Sequence, residues 1–168
     1  MRRLTCAIVA AGAVVAADTT TAIVPCNDCP PPTTTTIDCS GATLSQGVIW
    51  PPDHSMVPET IMGVTTDSTL MPVMIKITGI HQDEPVNALG SGNTAPDGSG
   101  IGMSTAYVRA ERAGPGTGRI YFITFTAGDG SGTQCGPITL QANVPHDQGQ
   151  GFNPVDTGQR YDSTVIPP

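Results

Sequence analysis

One stretch constrains the fold more than any other: Gly118–Asp129, which reads Gly-Arg-Ile-Tyr-Phe-Ile-Thr-Phe-Thr-Ala-Gly-Asp. Tyr121, Ile123, Phe125 and Ala127 recur on a two-residue period, the mark of a strand with one face in a core. The other side carries Ile120, Phe122, Thr124 and Thr126, apolar at its start and polar at its end. Every residue from Ile120 to Thr126 is aromatic or β-branched, which suits a pleated, half-buried surface. Glycine-rich turn chemistry brackets the stretch on both sides. It reads as the central strand of a sandwich.

Other strand patterns follow in chain order. Ala42, Leu44 and Val48-Ile49 predict a first strand, stopped by Trp50-Pro51-Pro52, with Trp50 plugging the end of the sandwich. Met56–Thr66 predicts a second, weakened by Pro58, and Val73–Ile80 a third with Val73, Ile75 and Ile77 inward. Gln82–Gly102 is a long polar connection with room for a short edge strand around Val86–Leu89. Ser104–Arg112 places Ala106, Val108 and Ala110 inward and Tyr107, Arg109 and Glu111 outward. After the central strand, Ile138, Leu140, Ala142 and Val144 alternate through Pro137–Val144. Six to seven short strands with turn signals between them, and no helical period, predict an all-β chain, an immunoglobulin-like antiparallel β-sandwich with disordered tails. In such a fold Tyr121 is placed to bond its hydroxyl to a neighbouring turn.

The ends of the chain have a different character. Residues 1–17 combine Arg2-Arg3, an apolar stretch and small residues at Val15-Ala16-Ala17, which is the pattern of a signal peptide. The apolar run is too short for a membrane-spanning helix, so an exported, soluble product is expected, secreted or held at the cell surface without a membrane span. Cleavage there leaves five basic against fourteen acidic residues, a net charge of −9. Such a surface has no electrostatic basis for gripping nucleic acid. Residues 18–38 form a Thr/Pro-rich spacer, 39–147 the sandwich, and 148–168 a Gly/Pro-rich tail expected to dock loosely. The cysteines left after cleavage are Cys26, Cys29, Cys39 and Cys135, an even set that reads as disulfides in an exported protein. Cys26-Asn-Asp-Cys29 lacks the strand–helix context of a redox motif and the second ligand pair of a zinc site, and reads as a small local disulfide.

Six short motifs stand in a recognisable order: Trp50-Pro-Pro-Asp-His-Ser-Met-Val-Pro58, Glu84-Pro-Val-Asn87, Thr94-Ala-Pro-Asp97, Arg109-Ala-Glu-Arg112, Gly118-Arg-Ile-Tyr121 and Val144-Pro-His-Asp-Gln148. Together they cover residues 40–148 and resemble the HYR-type, immunoglobulin-like modules of bacterial secreted and surface proteins. The resemblance implies a β-sandwich with an adhesive or structural role and no known catalytic centre. Where such modules often carry Asn-Cys after the second strand, this chain has Asp67-Ser-Thr. Cys135 then needs another partner, and the resemblance implies Cys39, because first and last strands are neighbours in such sandwiches.

Catalytic constellations do not assemble from the sequence. No Gly-x-Ser-x-Gly elbow supports a Ser/His/Asp hydrolase. Glu84 and Glu111 could be offered as a glycosidase pair, but a small sandwich provides little cleft. Gly98-Ser-Gly-Ile-Gly102 lacks the lysine and helix of a phosphate loop. Asp97-Gly-Ser-Gly100 and Asp129-Gly-Ser-Gly132 read as tight turns, with calcium ligation the alternative. The immunoglobulin-like topology brings Asp53, His54, His81, Asp83, Glu84, Glu111, Arg112, His146 and Asp147 to one pole. Two readings of that pole compete: a hydrogen-bonded plug in which Arg112 bridges carboxylates, or a site for zinc or another divalent ion. The expected function is a non-catalytic module for adhesion or assembly, working with a surface protein, a glycan or copies of itself. A polysaccharide- or divalent-cation-binding module is the alternative, and a small secreted hydrolase the weaker one. No cofactor is expected beyond calcium or zinc.

Overall fold

A computed structural model describes residues 35–67, 72–87, 89–149 and 153–167. The spacer cysteines Cys26 and Cys29 and the signal segment lie outside the described residues. The chain is all-β. Its strands are β1 (Ile37–Asp38), β2 (Thr43–Leu44), β3 (Met56–Met62), β4 (Thr65–Thr66), β5 (Met74–Gln82), β6 (Gly98–Ser99), β7 (Thr105–Arg109), β8 (Gly118–Gly128), β9 (Gln134–Pro145) and β10 (Tyr161–Asp162). Two four-stranded antiparallel sheets, ordered β2-β3-β7-β6 and β10-β5-β8-β9, form the sandwich, and β1 pairs with β4 separately. Ten strands among the described residues replace the expected six to seven, because Met56–Thr66 divides into β3 and β4 and because β1, β6 and β10 form in stretches read as spacer, connection and tail.

The β8 alternation holds as read: Tyr121, Ile123, Phe125 and Ala127 are buried, and they meet Ile61, Ala106, Val108, Ile77, Ile80, Ala142 and Val144 in one core. That core joins both sheets, which is what alternating inward faces of a sandwich produce. The first predicted strand divides. Thr43-Leu44 pairs with β3, and the chain then crosses to the opposite sheet, where Val48 bridges Asn143 of β9 in parallel. Glu59, buried on the inner face of β3, holds the crossover by accepting from Gln46 N, Gly47 N and the Ser45 hydroxyl. Pro58 is tolerated because β2 reaches only Ile61 and Met62, leaving that part of β3 without a second neighbour.

Elsewhere the structure corrects the reading. A register shift between Ile77 and Gly79 re-phases β5, so Ile80 and Gln82 point inward after Ile77. Val86 and Asn87 lie in a turn rather than an edge strand. Trp50 is 41% exposed and does not plug the sandwich end. The C-terminal segment is docked rather than loose: β10 pairs with β5, and Ser163 is wholly buried. Its presence explains the apolar start of the outer face of β8. Ile120 and Phe122 face away from the core yet are 3% and 4% exposed. Residues 154–160 run over that face, bonded to the Thr117 hydroxyl, the Asp83 carbonyl, the Gln82 carbonyl and the Gln141 amide. Cys39 and Cys135 are joined, with Cα atoms 6.2 Å apart, close to the end of β8 opposite Gly118.

Candidate functional site

The polar pole is built where β5, β7 and β9 end and β3 and β8 begin. The organising cation is not Arg112 but Arg119. It occupies the second position of β8, on the side where an apolar residue would otherwise continue the Tyr121–Ile123 row, and it is fully buried. Its Nη1 donates to Asp97 Oδ2 at 2.7 Å and to the Tyr121 hydroxyl at 3.2 Å, and lies 3.5 Å from Glu111 Oε1. Its Nε donates to Glu84 Oε2 at 3.1 Å, and its guanidinium sits 5.8 Å from the Tyr121 ring centre. Burial opposes that charge, yet contact with the Tyr121 oxygen, Asp97 and Glu84 outweighs it and holds the guanidinium above its already high ordinary range.

Arg109 forms a second clamp. Nη1 donates to the His54 carbonyl and Nη2 to the Pro96 carbonyl, while Nε stands 3.4 Å from Asp97 Oδ1. Glu111 was expected to face out. Instead the strand ends at Arg109, a tight turn bonds Glu111 N to the Arg109 carbonyl, and the side chain swings fully inside. Its carboxylate takes bonds from the Thr94 hydroxyl and faces His54 Nδ1 at 3.1 Å. His54 itself has a φ of 66°, uncommon for a side-chain-bearing residue, and its ring lies against Gly92, where an added Cβ would come within 2.7 Å of Cε1. The Tyr121 hydroxyl donates to the Arg109 carbonyl at 2.9 Å, as its position predicts. Burial pushes that phenol well above its usual range.

The other polar residues sort themselves around this centre. Glu84 Oε2 also accepts from Ala113 N. Asp83, buried, accepts from Ile120 N, and its carboxyl is raised from its ordinary value by burial, against the pull of that bond. Asp97 is raised for the same reason, despite bonds from Gln82 and Arg119. Arg112 bridges no carboxylate: its Nε donates to the His146 carbonyl, and His146 Nε2 faces the Gly114 carbonyl. Asp53 accepts from Ser55 within its own turn, and Asp147 from Gly149 N. His81 does not join the pole. The bulge in β5 sends it to the outer face, opposite Phe122 and Asp162, while Gln82 turns inward. Among the described residues no three His, Cys, Asp or Glu side chains converge in a way that could hold a metal ion. Asp129 spends Oδ1 on Ser131, as a tight turn does.

Asp97, Gln82, Arg109 and Arg119 are the members of the network that sequence reading missed, Arg109 being read only as an outward residue of its strand. Asp97 was read as a turn residue and Gln82 as the start of a connection. Arg119 did carry a signal: it shares parity with Tyr121 and Ile123, so an arginine on the core side of a central strand demands buried carboxylates. At the opposite end a surface hollow of about 360 Å³ opens among Met74, Lys76, Thr126 and Gln134, with Lys76 the one charged side chain lining it. Compared with known proteins, the chain matches no family model, no curated protein and no solved structure.

Proposed function

We propose that this chain is a non-catalytic structural module of the immunoglobulin-like kind, exported and used for adhesion or assembly at a cell surface. The observation that carries the non-catalytic part is burial. Asp97, Glu111, Arg119, Tyr121 and Gln82 each have 0% exposure and are bonded chiefly to one another. Groups with the chemistry for acid–base work are thereby consumed in closing the sandwich, where no substrate reaches them. The strand order supports the immunoglobulin-like reading. β2-β3-β7-β6 against β5-β8-β9 follows the pairing of A, B, E, D against C, F, G, and Tyr121 occupies the tyrosine-corner position. The bond between Cys39 and Cys135 and the leader-like residues 1–17 agree with an oxidising destination.

The apolar side chains that stand in solvent, Trp50 and Val48 near the pole and Met74, Ile101 and Met103 elsewhere, are the contact surface such a module offers. Trp50 favours a second reading, a polysaccharide-binding module, because an exposed indole stacks on sugar rings. The test combines sedimentation of the exported protein over a wide concentration range with retention on intact cells and on immobilised glycans. Self-association or retention on cells is expected. Retention on glycans alone favours the second reading, whereas a monomer that binds neither and turns over a substrate overturns both.

A further inference from the structure

The two open sides of the sandwich are closed by different means. On the β2/β9 side one continuous chain crosses between the sheets at residues 43–49, and the Cys39–Cys135 bond fixes it covalently. On the β5/β6 side Ile77 of β5 exchanges backbone bonds with Gly102 and Met103, between β6 and β7 of the other sheet, and nearer the pole the closure comes from the C-terminal segment. Ser163 N donates to the Ile80 carbonyl of β5, and the Ser163 carbonyl accepts from Asp97 N and Gly98 N, at 2.9 and 2.7 Å, on the strand of the other sheet. Gly98 is shaped for this wedge: a Cβ there would lie 2.9 Å from both Ser163 Cβ and Ile80 Cγ2. The same segment covers Ile120 and Phe122 and reaches Asp97, a member of the buried ion-pair network. Its regular pairing with β5 is only Tyr161↔Gln82 and Asp162↔His81.

We infer that this seat is a subunit-exchange site: residues 153–167 of one copy can leave their own sandwich and fill the seat of a second copy. The inference rests on the assembly reading above and names its interface. The occupant follows from fit, since the seat is complementary in backbone bonds, in the Gly98 notch and in apolar cover to this segment, and a second copy carries the same segment. The two sides also differ in what exchange requires. The β2/β9 side cannot open without breaking a disulfide, whereas the C-terminal segment is held by non-covalent contacts alone. Exchange between identical elements replaces every lost contact with its equivalent. A donor strand passed from each copy to the next is a heterologous contact, which gives rings or filaments, while a reciprocal exchange gives a dimer.

The test uses full-length chains. His81→Cys is introduced in an unlabelled protein and Asp162→Cys in an isotopically heavy one, because these two positions are register partners. The proteins are mixed at rising concentration, oxidised and mapped. The expected result is a peptide pair linked between positions 81 and 162, one light and one heavy, increasing with concentration. A single chain carrying both cysteines must form the link internally, which establishes that the positions are close enough. If that chain links and the mixture does not, exchange is overturned. As an independent measure, a synthetic peptide of residues 153–168 in excess should dissolve oligomers of the unsubstituted protein; oligomers indifferent to it also overturn the inference. Oligomers that form without the 81–162 link leave the assembly reading intact and remove only the exchange. A chain that stays monomeric throughout removes the assembly half of that reading as well.

Discussion

Strand β8 runs between two ends that are closed by opposite physics. Near Gly128 the Cys39–Cys135 bond ties the turn between β1 and β2 to β9. Near Gly118 there is no covalent tie, and Arg119 and Arg109 hold Asp97, Glu84 and Glu111, with His54 against the last of these. A disulfide stabilises mainly by restricting the unfolded chain. A buried ion network acts on the folded state, where desolvation opposes it and where its value lies in fixing one arrangement of the groups it bonds. The difference teaches that the covalent end sets how hard the sandwich is to open, while the charged end sets how its four converging loops are arranged. Both are needed because a chain with few aromatics has a modest core to rely on.

The largest expected effect breaks the charged end. Arg119→Met leaves three carboxylates without their central partner and should cost about 3–5 kcal/mol in denaturant unfolding. The loss should shrink on acidification, as the stranded carboxyls take up protons. Adding Asp97→Asn to Arg119→Met should recover part of it, because the buried charge is then removed from both sides. A cost below about 1 kcal/mol that is flat with pH would mean the network is not what organises this pole.

The covalent end comes next. Cys39→Ser with Cys135→Ser releases a loop of sequence separation 96 and should cost about 4 kcal/mol, within the usual span of about 2–5 kcal/mol. Unlike the Arg119 loss, this one should hold nearly constant between pH 5 and 8, since no titrating group is involved. Measuring both variants across that range separates the two mechanisms directly.

Smaller still is Tyr121→Phe. The substitution keeps the ring in the core and deletes a hydroxyl that donates to the Arg109 carbonyl and accepts from Arg119. A cost of about 1–2 kcal/mol is expected, typical of leaving a buried partner unsatisfied. Because burial raises the Tyr121 phenol, its ionisation is disfavoured in the folded state. The wild-type chain should therefore lose stability as pH climbs beyond about 10, the ordinary tyrosine value, and that limb should be weaker in the Phe variant.

How far the sequence could be read follows the same division. The core of β8 was legible because a period of two over seven apolar or β-branched residues has one structural meaning. The inward row Ala106, Val108, Ala110 was legible for the same reason. Convergence of His54, Glu84, Glu111, Arg112 and His146 on one pole followed from strand order alone. Side-chain direction there did not, because it depends on breaks in alternation. The bulge at Gly79 exchanged His81 for Gln82, and the turn after Arg109 carried Glu111 inside. The docked C-terminal segment was hidden in polar, glycine-rich composition. Its signature sat elsewhere, in Ile120 and Phe122, two apolar residues on a face that had no other reason to be apolar.

The smallest effect concerns the pH at which the whole molecule is most stable, and its sign comes from two classes of aspartate. Asp83 and Asp97 have carboxyls raised by burial. A raised carboxyl binds its proton more tightly in the folded chain, so its contribution is fully present below the unfolded value, near 3.8, and is lost as pH rises through the folded value. Asp38, Asp53, Asp67, Asp129 and Asp162 are lowered, chiefly by bonds from Ser40, Ser55, Thr36, Ser131 and Thr164. Their contribution is present above 3.8 and disappears as pH falls through their folded values. Stability should therefore rise as pH falls through the folded values of Asp83 and Asp97 toward 3.8, and fall again in stronger acid. The formal net charge of −7 reinforces the upper limb, since partial neutralisation relieves self-repulsion. Asp83→Asn separates the causes. Its amide oxygen can still accept from Ile120 N, so the fold is retained while one buried titration is deleted, and the rise on acidification toward 3.8 should flatten. An unchanged rise in that variant would assign the upper limb to Asp97 and net charge. A wild-type profile that falls steadily from pH 7 downward would show that the turn aspartates dominate, and that the charged pole is held with all its carboxylates ionised.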